Sequence, residues 1–568
     1  MSYDRFPETK ITGYDHEVFN DEQAIYQELL KYKDLHCIVV DCYPGVDDEI
    51  FRLIKNIYQP EITIKSEDIF YDSKILNDKM KSNLTDDRVR GVMYYGVMED
   101  FVDHDKLVET KKLLASKDKK ILIYGVGAGL ISTGDLYIYC DLARWEIQLR
   151  YRQGMPNFKC DNFDEDILKK VKRGYFIEWR ISDKHKIKMF NSIDYIIDSN
   201  EKGHPKMITG LALREGLKQL VKQPFRLVPY FDPGVWGGQW MKEHCNLDPH
   251  EKNYAWSFDG VFEENSLYLR YNDTRIEIPA MDLVLYLPIE LLGMKNYCRF
   301  GAEFPIRFDF LDTIEGQNLS LQVHPLMEYI KSHFGMTYTQ DESYYILDAD
   351  DGGVYLGLKE NINFNEMVDD LKLAQDGKRI FDADKYINYF PAKKHDHFLI
   401  PAGTVHCSSS GCMVLEISAT PYIFTFKLWD WNRLGLDGLP RPIHLDDGIK
   451  NIQQNRTTSW VEKQLINNIQ VICDDDYLEE KTGLHELEFI ETRRFTTSTI
   501  TYHDCQEGVH MLNLVDGKEA LVESPNHAFE PFVVHYAETF VVPSAIGKYT
   551  IRPVDNEKII FIKAFVRN

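Results

Sequence analysis

Cysteine is sparse in this sequence and never paired at short range: ten residues in 568, with no CxxC. That spacing excludes a disulfide framework and a thiolate zinc knuckle, and it assigns the chain to a reducing compartment, the cytoplasm. Long apolar runs are missing too. The longest, Met281–Met294, is interrupted by Asp282 and Glu290 and is too short to span a bilayer. The N-terminal MSYDRFPETK lacks the basic-then-apolar pattern of an export signal. Basic residues are outnumbered, 66 Lys+Arg against 90 Asp+Glu, for a net charge of −24. Nucleic acid or an anionic membrane would be repelled by that mean field. A small anion remains a possible substrate, because a few local cations act within a screening length of about 10 Å.

What is present is material for several cores. Hydrophobic residues make up 44% of the chain and aromatics 13%, and the length calls for roughly two to four domains. The texture changes along the chain. Up to residue 222, short β-branched runs, His36–Cys42 and Lys120–Gly125, alternate with helical stretches, Asp105–Lys117 and Leu142–Arg152. That alternation predicts an α/β domain with a mostly parallel sheet. From 223 to 458, turns separate short strands, Glu342–Leu347, Gly353–Leu358, His397–Ile400, Cys412–Ile417 and Ile423–Trp429, around a helical interlude at Asn363–Gln375. This texture predicts antiparallel β structure of the jelly-roll kind. Residues 459–568 repeat it, with strands at Met511–Val515, Phe532–Val534, Thr539–Val542 and Ile559–Val566. The expected fold class is therefore an N-terminal α/β domain (1–222) followed by two mainly-β domains (223–458 and 459–568).

The sharpest local feature is Leu319-Ser-Leu-Gln322-Val-His324-Pro325. In a strand Gln322 and His324 point to one face, and an amide oxygen beside an imidazole suits a borderline metal such as zinc. Glu342 opens a later strand, and His406 closes Ile400-Pro-Ala-Gly-Thr-Val-His406. Together the four would make an N₂O₂ site with room for water or substrate. Each residue taken singly is equally an ordinary strand residue.

Six segments in order change that balance: Pro229–Gly238 (PYFDPGVWGG), LSLQVHP, Glu342–Leu347 (ESYYIL), PAGTVH with Glu416 ten residues on, Lys427–Leu434 (KLWDWNRL) and Arg441–His444 (RPIH). Over residues 226–449 the chain resembles the class I mannose-6-phosphate isomerases. The resemblance implies a cupin-type jelly roll with one divalent metal, usually zinc, on Gln322, His324, Glu342 and His406. It implies interconversion of mannose 6-phosphate and fructose 6-phosphate through a cis-enediol. Glu416 is then the candidate acid/base, or a carboxylate that orients a ligand. Lys427 and Arg433 are candidates for neutralising the enediolate or the phosphate, and strand alternation would place both on one face. Ser320 is the candidate hydroxyl donor to the phosphate. Two departures bear on substrate: Lys427 stands where bacterial relatives carry Arg, and Gln340 where many carry Lys. The last region looks like the family's second, metal-free cupin, with His510 and His535 isolated.

The N-terminal third is less explicit. Val39–Glu49 lies at a strand-to-helix turn but has no GxxxxGK[ST]. Gly125-Val-Gly127-Ala-Gly129 suggests a dinucleotide turn, with Leu130 at the third glycine position. Arg144, Arg150 and Arg152, with IDYIID at Ile193–Asp198, faintly resemble the lid and last strand of uridine-kinase-like folds, so the expectation is a degenerate kinase-like domain. The leading function is a metal-dependent aldose–ketose isomerase acting on a small sugar phosphate. The alternatives are a sugar-phosphate sensor and a bifunctional kinase–isomerase.

Overall fold

The computed structural model describes residues 3–567, apart from residues 117, 421–423, 437, 439–440 and 556. The expected helix end at Lys117 and strand start at Ile423 lie outside the described residues. Two compact units emerge, and neither is a single stretch of chain. One comprises residues 8–220 and 263–287; the other comprises residues 1–7, 221–262 and 288–568. Among the described residues, no helix is long and apolar enough to cross a membrane.

The first unit is built on a seven-stranded sheet. In spatial order its strands are Val18–Phe19, Lys206–Thr209, Tyr195–Asp198, Leu136–Asp141, Cys37–Cys42, Ile121–Gly125 and Ile62–Lys65. The last five run parallel. The three central ones, CIVVDC, ILIYG and LYIYCD, are buried at every position, as a parallel sheet covered on both faces requires. The helix Asp48–Tyr58 covers one face with Ile50, Ile54 and Ile57, spaced for a single stripe. It starts where the Asp47 carboxylate accepts from Glu49 N at 2.9 Å. The returning segment adds the hairpin Ser266–Tyr271 and Thr274–Pro279, paired to Glu8–Ile11.

The glycine turn after Ile121–Gly125 holds an internal ligand. Gly127 adopts φ +75°, and the N–H groups of Gly127, Ala128 and Gly129 donate to the Asp41 carboxylate at 2.9, 3.2 and 2.8 Å. Tyr137 Oη donates to it at 2.7 Å, and His185 Nε2 lies 2.6 Å away. Burial raises the Asp41 carboxyl, but His185, Tyr137 and the backbone donors more than offset that and hold it below the usual range. A Cβ at Gly129 would sit 2.6 Å from Tyr137 Oη and 2.8 Å from Asp41 Oδ2, so the carboxylate's seat requires glycine there. The anion-holding geometry expected of a dinucleotide turn is present, filled by the chain's own side chain.

The arginines are likewise engaged within this unit. Arg144 bridges Asp183 (2.5 Å) and Glu263 (2.9 Å), and Arg180 reaches Glu263 at 2.7 Å. Arg150 donates to the carbonyls of Gly45 and Ser199 and pairs with Glu146. Arg152 lies 5.1 Å over the Trp145 ring. Lys186 pairs with Asp141 (2.5 Å) and Asp282 (2.8 Å).

The second unit contains two sheet pairs. The first pair is six- and five-stranded. In spatial order the larger sheet runs His397–Ile400, Glu342–Ala349, Cys412–Ala419, Ile306–Asp312, Trp256–Gly260 and Tyr230–Asp232. The smaller runs Ile387–Pro391, Gly353–Leu358, His406–Ser408, Leu321–Val323 and Phe426–Trp429. All of these pairings are antiparallel. The C-terminal pair is six- and four-stranded. It shares a core of Phe495, Leu512, Leu514, Phe540 and Phe561 from one sheet with Val522, Val534 and Ile551 from the other. The helix Phe364–Gln375 matches the expected interlude.

Asp41→Ala should leave His185 buried without its partner and free three backbone donors, costing about 3–5 kcal/mol. Hydrogen exchange by mass spectrometry is expected to accelerate in peptides covering Cys37–Cys42 and Ile121–Gly125, with residues 306–430 unchanged. Unchanged protection across the parallel sheet would refute this role for Asp41.

Candidate metal centre

Register assembles the site. Gln322 on Leu321–Val323 lies opposite His406 on one neighbouring strand and opposite Lys427 on the other. Directly paired residues share a face, so the three side chains leave the five-stranded sheet on one side, with His324 two positions along. Glu342 comes from the six-stranded sheet, where it pairs with Ser418 and Ile400. Gln322 is 9% exposed, and His324, Glu342 and His406 are fully buried.

The hydrogen bonds fix which atoms meet. His324 Nδ1 lies 3.1 Å from the carbonyl of Phe424, and His406 Nδ1 lies 2.9 Å from that of Thr404. A carbonyl only accepts, so both Nδ1 atoms carry the proton, and in the neutral rings both Nε2 atoms present lone pairs. Those lone pairs face the Glu342 carboxylate, His324 Nε2 at 3.0 Å from Oε2 and His406 Nε2 at 2.8 Å from Oε1. His324 Nε2 and Glu342 Oε1 have no hydrogen-bond partner among the described residues. Acceptors crowd against acceptors in a dry cleft, which is costly unless positive charge lies between them.

A divalent cation would supply that charge, and the donor set fits one. One ligating atom each from His324, Glu342 and His406 lies within 4.8 Å of the others. The Gln322 amide is 3.1 Å from His406 Nε2 through its nitrogen; the same amide turned over presents Oε1.

The neighbouring residues divide into two clusters. Beside the Glu342 carboxylate, Gln340 Nε2 donates to Oε2 at 3.4 Å; the residue at the family's usual Lys position therefore touches a ligand. On the same sheet, register aligns Glu342 and Tyr344 with Ser418 and Glu416, and these with Arg307 and Asp309. Glu416 accepts from Ser418 Oγ at 3.0 Å and lies 3.3 Å from Arg307 Nη1, while Arg307 also contacts Asp309. Burial, then the nearby Glu342 and Asp309, push the Glu416 carboxyl well up.

Ser320 belongs to the second cluster. Its Oγ donates to Asp430 Oδ1 at 2.8 Å and lies 3.3 Å from Arg441 Nη1. Arg433 reaches the same carboxylate at 2.5 Å and donates to the Asn318 carbonyl at 2.6 Å; Arg441 lies 3.1 Å from Asp430 Oδ2. The expectation that alternation along one strand aligns Lys427 with Arg433 fails. The strand ends at Trp429, and Trp431 and Asn432 take φ of 54° and 56°, so a turn rather than a strand positions Arg433. Arg307 escaped the sequence reading, and Arg441 and Asp430 entered it only as members of RPIH and KLWDWNRL, without a role. Arg307 and Asp309 did leave a trace: two charges at i and i+2 within the otherwise apolar stretch from Ile306 to Leu311.

If this donor set is right, Glu342→Gln and His406→Ala should each lower bound divalent metal, measured by mass spectrometry of the purified protein, at least about tenfold. Stoichiometric metal in either folded variant would disprove it.

Comparison with known proteins adds three findings. Residues 21–222 match the family model "Domain of unknown function (DUF8485)". The chain is 23% identical over 339 residues to the mannose-6-phosphate isomerase ManA of Bacillus subtilis (strain 168), covering 58% of this chain and 96% of that one. It is 25% identical over 248 residues to a mannose-6-phosphate isomerase of Streptococcus mutans, covering 43% of this chain and 73% of the relative. Superposition on the crystal structure of the mannose 6-phosphate isomerase from Bacillus subtilis gives a TM-score of 0.49 at 16% identity, spanning 60% of this chain and 99% of that one. Over somewhat more than half its length, the chain is homologous to mannose-6-phosphate isomerases.

Proposed function

We propose that the protein is a metal-dependent aldose–ketose isomerase that interconverts mannose 6-phosphate and fructose 6-phosphate. The observation that supports this best is the convergence of lone pairs from His324, Glu342 and His406, beside the Gln322 amide, on a point that needs a cation. Zinc is the ion these donors suit, and bound there it supplies Lewis acidity to the substrate's C1 and C2 oxygens.

The chain's own residues divide the remaining work. Gln322, His324, Glu342 and His406 hold the ion, and Gln340 steadies the Glu342 carboxylate. Ser320 stands two positions before Gln322, about 7 Å along an extended segment, a span on the scale of an open-chain hexose. Its hydroxyl, Arg433 and Arg441 surround the single carboxylate of Asp430, leaving one excess positive charge for a phosphate. This local charge answers how an acidic protein captures an anionic sugar. Lys427, across the strand pair from Gln322, donates to the sugar oxygens as negative charge develops on them. Glu416 carries the proton between C1 and C2: in its ionised form it takes the C2 proton of the aldose as the enediol forms and delivers it to C1, while the O2 hydroxyl proton passes to O1, completing the ketose. The exchange is redox-neutral and needs no co-reactant.

The test is a coupled assay converting mannose 6-phosphate to fructose 6-phosphate, with chelator and zinc add-back. Chelation should lower the rate at least about a hundredfold and zinc should restore it. Arg441→Met should raise KM by about tenfold with a smaller change in kcat, as expected for a phosphate contact kept throughout the reaction. No turnover by the metal-loaded protein would remove the isomerase reading and favour a sensor.

A further inference from the structure

The C-terminal pair of sheets contains a second polar cavity, unrelated to the metal centre. Register pairs Arg493 with Lys563 and Lys563 with Leu512. Arg493 and Lys563, with His510 and Phe565 two positions along their strands, therefore share the face turned toward the sheet pair's interior. A cavity of about 260 Å³ opens at this end, lined by these four residues and by Glu479, Asp504 and Glu507.

Lys563 is the unusual group. It is 8% exposed, and among the described residues its one hydrogen-bond acceptor is His503 Nδ1 at 3.3 Å. No carboxylate among them lies within ion-pair distance of it. An ammonium carries three donors, so two lack a protein acceptor, and a buried cation left in that state is costly. Burial lowers it to about 8, so at neutral pH it is still mostly a donor. The Phe495 and Phe565 rings lie 4.7 and 5.6 Å from Nζ.

The surrounding groups define what can complete the site. His503 accepts from Lys563 through Nδ1, so its Nε2–H donates to Thr501 Oγ1 at 2.9 Å, which in turn donates to the Ile551 carbonyl. Burial, then Lys563, hold the His503 and His510 rings well below their usual range, hence neutral. Arg493 is matched by Glu479 (2.8 Å) and Glu491 (2.5 Å), and Glu507 by Lys295. With these partners counted, three cations (Arg493, Lys563 and Lys295) face four carboxylates (Glu479, Glu491, Asp504 and Glu507), a net charge of −1. A phosphate or carboxylate ligand would meet three carboxylates. A neutral ligand with several hydroxyls meets acceptors, donors and an aromatic face together: its oxygens accept from Lys563, its O–H groups donate to Glu479, whose register partner Phe495 faces the same interior, and its C–H face lies against Phe565.

We propose that this cavity binds a neutral monosaccharide, with Lys563 as the central hydrogen-bond donor and Phe565 as the apolar wall. The site stands independently of the isomerase reading.

The test uses the full chain with D-mannose, D-glucose and D-fructose as probes, followed by saturation-transfer NMR and titration calorimetry. At least one sugar should bind saturably. Lys563→Met, which keeps the length of the buried side chain, should weaken it about tenfold, the loss of one or two hydrogen bonds to a charged donor. His406→Ala should leave the affinity unchanged. Phe565→Ala at the cavity wall gives the same reading should Lys563→Met not fold. Absence of saturable binding by all three sugars overturns the proposal. So does binding that His406→Ala removes, or binding that survives both cavity variants.

Discussion

The centre of the second unit is organised by one electrostatic conflict: a carboxylate between two imidazole lone pairs. Glu342 could be relieved locally only if the histidines turned, and their Nδ1 bonds to the Phe424 and Thr404 carbonyls prevent that. A cation bound there would tie the two sheets to a common geometry, because the imidazoles and the carboxylate come from opposite sheets. Glu416, Arg307 and Asp309 on the same sheet and Gln340 beside it form a buried polar layer in which one guanidinium serves two carboxyls, and burial pushes both carboxyls up toward the neutral form. Such a layer is tolerated in a β core only when its charges are matched.

Much of this was legible in the sequence because the candidate donors sit on or beside short strands within recognisable motifs, and strand alternation is a strong local rule. Gln322 and His324 had to share a face once Leu321–Val323 was extended; the register with His406, 84 positions on, is set by long-range sheet pairing. What stayed hidden depends on long-range geometry. Arg441 meets Ser320 across 121 positions of chain, and no local pattern announces that contact. Arg433 reaches Asp430 and the Asn318 carbonyl through a turn and not through alternation, since two positive-φ residues turn the chain where the strand would continue. The helix and strand positions of the N-terminal third were readable from their texture. The return of residues 263–287 to that unit was not, because a hairpin inside β-rich sequence looks like any other hairpin.

The two polar sites of the second unit differ in kind. At the metal centre, excess acceptors call for a cation. In the C-terminal sheet pair, excess donors on Lys563 call for acceptors, and the slightly acidic lining selects hydroxyl oxygens over anionic ones. The same β architecture can therefore present opposite deficits, decided by a handful of inward-facing positions and not by the fold.

The Asp41 carboxylate in the glycine turn has a further consequence for the first unit. A rigidly tethered anion presents itself to its own binding loop at an effective concentration far above that of any dissolved competitor. A nucleotide phosphate arriving at Gly127–Gly129 would have to displace a ligand that cannot diffuse away, while stranding His185 and Tyr137 in the interior. The turn thus behaves as a permanent clasp between neighbouring strands, with the recognition chemistry of a phosphate loop redirected to holding the sheet together.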